Sequence, residues 1–147
     1  MKPFLTLVLA AFLPTALAAQ DTESTSPAGV IQPGYDSDLS EFLWIKRPVV
    51  IFADSPADPR FQDQMERLSQ EIDALLVRDV VVLTDTDPAA KSELRQKLRP
   101  RGFMLVLVGK DGGVKLRKPS PWTVRELTRI IDKFPSRLRE VEDRRGS

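Results

Sequence analysis

The chain has 147 residues, 22 of them basic and 21 acidic, with no histidine and no cysteine. That length suits one domain with its own core, and the missing residue types exclude disulfides, a thiol nucleophile, a Cys-x-x-Cys redox pair and a Ser-His-Asp triad. Zinc and copper centres normally draw on the same absent side chains, so only carboxylate, hydroxyl, lysine, arginine and tyrosine chemistry remains.

At the start, Lys2 supplies a minimal positive region, Phe4 to Leu13 is an almost unbroken apolar run, and Pro14 precedes the small-residue stretch Ala16-Leu17-Ala18-Ala19. This is the three-part layout of a cleavable secretory signal peptide over residues 1–18. Ala16 and Ala18 fit the small positions before the cut, which makes Ala19 the favoured mature N-terminus and Gln20 the second choice. An uncleaved anchor is the alternative. However, the sixteen residues from Phe4 to Ala19 include a proline and fall short of the roughly 20 apolar residues that span a bilayer. With no cysteine there is no lipoprotein acceptor, and no Arg-Arg pair marks a twin-arginine signal. The expectation is a periplasmic or secreted protein, without stable membrane insertion once the signal is cut.

Loss of Lys2 leaves the mature chain neutral, so nothing predicts nucleic acid or an anionic membrane as partner. The neutrality conceals a division: Asp21 to Asp87 holds 14 acidic and 5 basic residues, whereas Pro88 to Ser147 holds 7 acidic and 16 basic. A basic binding half is one reading; two halves of one domain that neutralise each other is the plainer one.

Residues 19–38 are rich in Ser, Thr, Asp, Pro and Gly and read as a flexible leader. Order is expected from Leu39, where Leu39, Phe42, Leu43 and Trp44 are spaced to form an apolar clamp ahead of the first strand. Three apolar runs without alternation follow, Val49 to Ala53, Val80 to Leu83 and Phe103 to Val108. Such runs predict strands buried on both faces by covering helices. Between the first two, Phe61, Met65, Leu68, Ile72, Leu75 and Leu76 recur at helical spacing within Pro59 to Arg78. That makes a βαβ unit with parallel strands. A shorter helix over Pro88 to Arg99 turns Leu94 and Leu98 inward, and the Asp111-Gly112-Gly113 turn leads the third strand into Val114 to Arg117 as a hairpin. A last helix over Pro121 to Phe134 carries Val124, Leu127, Ile130, Ile131 and Phe134 on one face, and the charged tail from Arg137 is expected to fray. Asp58-Pro59, Asp87-Pro88 and Ser120-Pro121 each place a capping side chain before a proline suited to the first helical position.

The resulting order, β-α-β-α-β-β-α with a mixed sheet covered by helices, is that of a single thioredoxin-like α/β domain. The segments "RPVVIFADSPADPRFQDQ", "RDVVVLTD" and "LVLVGKDGGVKLR" resemble the thioredoxin-like family known as domain of unknown function 4174. The resemblance spans about residues 39–141, leaving 142–147 as a polar tail, and "GKDGGVKLR" is its most specific block. It implies a fold and, through exported bacterial members, a compartment; it implies no activity. Redox-active relatives of this fold carry their cysteines just after the first core strand, where this chain has Asp54-Ser55-Pro56-Ala57-Asp58-Pro59-Arg60. They also place a cis-proline before the third strand, where this chain has Arg101-Gly102-Phe103. Thioredoxin or peroxiredoxin activity and a cofactor are therefore not expected.

Two sites deserve weighing on their chemistry. Adjacent parallel strands bring their carboxyl ends together, where open α/β sheets bind ligands, so Asp54, Asp58, Asp85 and Asp87 could hold a hard cation through oxygen. Against this, Asp58 and Asp87 read as helix caps, Asp54 and Asp85 are expected to meet water or the nearby Arg60, Arg99 and Arg101, and no calcium-loop spacing is present. The second is the basic set Arg95, Lys97, Arg99, Arg101, Lys115, Arg117 and Lys118, which suits an anionic glycan or acidic protein but also reads as an ordinary solvated face. Trp122 is either a recognition residue or a lid on the core. The favoured expectation is a redox-inactive binding module that meets an envelope protein or a glycan through Asp54, Asp58, Arg60 and Arg101. The rival is a cysteine-independent enzyme or cation-binding protein that uses the aspartates.

Overall fold

In the three apolar strands, successive side chains point to opposite faces, and each face of the sheet meets its own set of helices. The computed structural model of the protein describes residues 29–146. The expected signal peptide and the leader up to Ala28 lie outside the described residues. Five strands are present, β1 (Ile31–Pro33), β2 (Arg47–Phe52), β3 (Val80–Asp85), β4 (Met104–Val108) and β5 (Val114–Lys118). The helices are α1 (Pro59–Gln70), α2 (Ile72–Leu76), α3 (Glu93–Leu98), α4 (Val124–Ile131) and α5 (Pro135–Arg145). The sheet order is β1-β3-β2-β4-β5. Both β1 and β2 run parallel to β3, while β4 is antiparallel to β2 and to β5.

Val49, Ile51, Val82, Leu105 and Leu107 cluster on one face with Leu68, Leu75, Leu127 and Ile131 from α1, α2 and α4. Val50, Phe52, Val81, Leu83, Val106 and Val108 cluster on the other with Leu39, Leu94 and Leu98. Burial on both sides explains why these strands read as unbroken apolar runs. The expected parallel pairing of the first two core strands and the hairpin after the third are both present.

Five expectations need correction. Leader residues from Gly29 onward are structured: Val30 is buried, Ile31 pairs with Val82, and the Gly34 N–H donates to the Thr84 carbonyl at 2.8 Å. A Cβ on Gly34 would lie 2.8 Å from Leu94 Cδ1 and 3.3 Å from the Thr84 carbonyl, so a larger residue where the chain leaves β1 would displace the buried Leu94 side chain. The long first helix breaks at Glu71 (φ −132°, ψ 42°) into α1 and α2. In the second helical region, Asp87 caps a 3₁₀ turn over Pro88–Ala90, left-handed Lys91 ends it, and α3 starts anew after Ser92. The last expected helix begins after Thr123, not at Pro121. Thr123 and Glu126 form a reciprocal capping box, so Ser120 has no capping role there.

The tail correction is the largest. Pro135–Arg145 is a helix, Arg137 is buried, and Glu140 is bonded to Arg47 and Lys110. The segment reads as a fraying tail because its charges are many, but two of them, Arg137 and Glu140, are held against the domain through the Val77 carbonyl and Arg47.

Candidate functional site

The carboxyl ends of β2 and β3 lie side by side, with Phe52 opposite Asp85. Asp85 is completely buried. Its carboxylate accepts from Arg95 Nε at 2.9 Å, from the Asp87 N–H at 3.1 Å and from the Ser92 hydroxyl. Arg95 Nη2 also donates to the carbonyls of Ala53 (2.7 Å) and Asp85 (3.1 Å), and its guanidinium lies 5.4 Å from the centre of the Phe52 ring. A buried carboxylate is tolerated only when paired and hydrogen-bonded, and this one is both. Through Arg95 it ties the ends of two strands to the first turn of α3.

Asp58 caps α1 by accepting from the Arg60 N–H at 2.9 Å, and its carboxylate also meets Arg60 Nη2 at 3.2 Å. The Arg60 side chain and backbone N–H hold the Asp58 carboxyl below its usual range. The Arg60 guanidinium in turn sits 5.7 Å from the centre of the Phe103 ring. Asp54, Ser55, Pro56 and Ala57 are exposed, as is Arg101. Among the described residues, neither Asp54 nor Arg101 has a hydrogen-bonding or ionic partner. Asp87 caps the 3₁₀ turn through the Ala89 N–H at 3.1 Å.

The aspartates therefore do not converge on a cation. Among the described residues no group of three or more His, Cys, Asp or Glu side chains is placed to hold a metal. Asp85 serves Arg95 and Ser92, whereas Asp58 and Asp87 serve helix starts. The basic set is also dispersed. Arg95 is drawn inward to Asp85, Lys115 pairs with Asp111 at 2.9 Å, Arg117 donates to the Leu98 carbonyl, and Lys118 lies 5.0 Å from the Trp122 ring centre. Trp122 packs against the core, and its backbone N–H and carbonyl are clamped by the buried Gln64 amide at 2.8 and 2.9 Å. The lid reading of Trp122 is the one this geometry favours.

A second network stands at the opposite end of β2. The Arg47 side chain is wholly buried, donating to both Glu140 oxygens (2.9 and 3.2 Å), to the Ser136 hydroxyl (3.0 Å) and to the Arg78 carbonyl (2.8 Å). Lys110 bridges Glu140 (2.7 Å) and Asp79 (2.9 Å), and Arg78 pairs with Asp132 at 2.8 Å. Burial alone would raise the Glu140 carboxyl, but hydrogen bonds from Arg47 and Lys110 outweigh it and hold the group at about 2. Arg47 and Glu140 stand 93 residues apart, so no local pattern marks either. Arg95 and Ser92 carried a nearer signal, because a Ser–x–x–Arg step seven residues after a strand-end aspartate puts both on one helical turn.

Solved structures share the fold. A reduced 2-Cys peroxiredoxin of Plasmodium vivax is 16% identical, with a TM-score of 0.53 over 65% of this chain and 81% of its own. A chloroplastic thioredoxin z is 20% identical, with a TM-score of 0.53 over 70% of this chain and 90% of its own. At such identities the likeness speaks for the fold alone. This chain, which has no cysteine, places the buried Asp85–Arg95 pair at the strand ends. The match of residues 38–140 shows that the chain belongs to the family described as Domain of unknown function (DUF4174).

Proposed function

We propose that this protein is an exported interaction domain, a thioredoxin-like scaffold that binds a partner and performs no thiol chemistry. The observation that supports this most is the state of the carboxyl ends of β2 and β3. In open α/β sheets that region holds ligands, yet here Asp85, Ser92 and Arg95 are committed to one another. Around this buried group the loop Asp54–Ala57 and Arg101 are exposed, beside the Asp58–Arg60 pair. A charged loop fixed by a capped helix and a rigid sheet suits recognition of an envelope protein or a glycan. Work outside the cytoplasm rests on the signal-like sequence of residues 1–18.

The test places a photoreactive side chain at Pro56 in the protein made with its own leader in its native cells. One recurrent adduct is expected, lost when Asp54→Ala and Arg101→Ala are combined while the melting midpoint stays unchanged. No recurrent adduct, or one indifferent to those substitutions, overturns the reading. The same cells test location, since a mature mass beginning at Ala19 or Gln20 outside the cytoplasm is expected and an uncut cytoplasmic chain contradicts it.

A further inference from the structure

Ahead of β2, at its amino end, Leu43, Trp44 and Ile45 are 38%, 73% and 61% exposed. Three consecutive apolar side chains held in water are unfavourable on a surface that nothing covers. Trp44 is also fixed in place. Its φ is +63°, a left-handed conformation uncommon for a bulky residue, and its N–H donates to the Lys110 carbonyl at 2.8 Å.

Trp44 lines a cleft of about 350 Å³ together with Lys110, Phe134, Pro135, Ser136 and Arg139. That volume is in the range of a small ligand site, and its lining has the usual make-up of apolar walls with a few polar groups. Trp44, Phe134 and Pro135 supply the apolar walls; the polar lining is Arg139, the paired Asp111 and Lys115, Ser136, whose hydroxyl accepts from Arg47, and Lys110, whose ammonium is held by Asp79 and Glu140. The charge here is unbalanced. In the network beneath, the four cations Arg47, Arg78, Lys110 and Arg137 meet three anions, Asp79, Asp132 and Glu140. Arg139 is exposed and has no ionic partner among the described residues, so it adds a second uncompensated positive charge at the rim. Lys115, which also lines the cleft, is neutralised by Asp111 in the same lining.

We propose that this cleft binds an acidic peptide segment, with an apolar side chain laid against Trp44 and a flanking carboxylate meeting Arg139. Exposed tryptophan and arginine are the residue types that anchor protein interfaces, and an excess of positive charge selects carboxylates over basic or neutral partners. The site lies at the opposite end of β2 from the loop Asp54–Ala57, so either can fail without the other.

Calorimetric titration of the protein with a blocked Glu-Phe-Glu peptide and its Lys-Phe-Lys counterpart tests the proposal. Saturable binding of the acidic peptide is expected, about tenfold or more tighter than the basic one. Arg139→Glu should weaken it about fivefold or more, and Trp44→Ser should abolish measurable binding. Both positions are exposed, and circular dichroism confirms that each variant is folded. Absence of saturation, equal binding of the two peptides, or indifference to either substitution overturns the proposal. A concentration-dependent dimer in sedimentation that Trp44→Ser dissolves would assign the face to a second copy of the chain. Preferential binding of a neutral oligosaccharide would assign it to a glycan, and either outcome also overturns the proposal.

Discussion

The two ends of β2 carry ion networks of opposite design. At the carboxyl end, Asp85, Ser92 and Arg95 lie within ten residues of one another, and Asp85 has no exposure at all. At the amino end, Arg47 is equally buried, but its partner Glu140 keeps 22% of its side chain in solvent and shares itself among Arg47, Lys110 and Arg137. The first network is a local seal that fastens α3 to the strand ends. The second is a distributed clamp that fastens α5 to the sheet across the length of the domain. The difference predicts how each tolerates loss. A sealed carboxylate has no substitute for its cation, whereas a shared one can turn to water and to its remaining partners.

Substitution of each arginine by methionine breaks or sharpens that contrast. Arg95→Met leaves Asp85 buried without its cation and should cost about 3–5 kcal/mol in urea unfolding. Arg47→Met leaves Glu140 with Lys110, Arg137 and solvent, so about 2 kcal/mol is expected. Equal losses would mean that the two ends are not different in kind.

Acid titration addresses the clamp next. The Glu140 carboxyl is held at about 2 against an ordinary value of 4.5. Its contribution is therefore complete above about pH 4.5 and lost as pH falls towards 2. Glu140→Gln should be less stable than the parent at neutral pH, and the gap between the two should narrow through that window in pH-dependent unfolding. A gap that persists unchanged at pH 2 would show that the carboxylate is not what holds α5.

A smaller effect separates local capping from the networks. Thr123→Ala removes the cap of α4 and should cost about 1 kcal/mol, while Ser120→Ala should stay within about 0.5 kcal/mol. Thermal melts of the two variants distinguish the observed helix start from the one that the Ser-Pro step suggests.

What could be read from the sequence follows the same local-versus-distant line. The buried strands, the inward stripe of α1 and the Asp58-Pro59 and Asp87-Pro88 caps are visible because their causes lie within a few residues. β1 escaped because three residues between Val30 and Gly34 show no periodicity; Ile31 is a strand residue only because Val82 is there to pair with it. α5 escaped because Arg137 and Glu140 resemble solvated charges until Arg47 is folded against Glu140 and the Val77 carbonyl against Arg137. At the candidate site, the sequence placed Asp54, Asp58, Asp85 and Asp87 in one neighbourhood, yet it could not show that Asp85 turns inward to Arg95. Side-chain direction at a strand end depends on which residue of a later helix arrives beneath it.

The most direct test of the central claim, that the carboxyl end of the parallel strands has been given to structure and not to chemistry, is equilibrium unfolding of Asp85→Asn at neutral pH. The account predicts a loss of about 2–3 kcal/mol, because a charged pair and its hydrogen bonds are dismantled in the interior. Stability that is unchanged or raised, as when a carboxylate kept for function is neutralised, would contradict it.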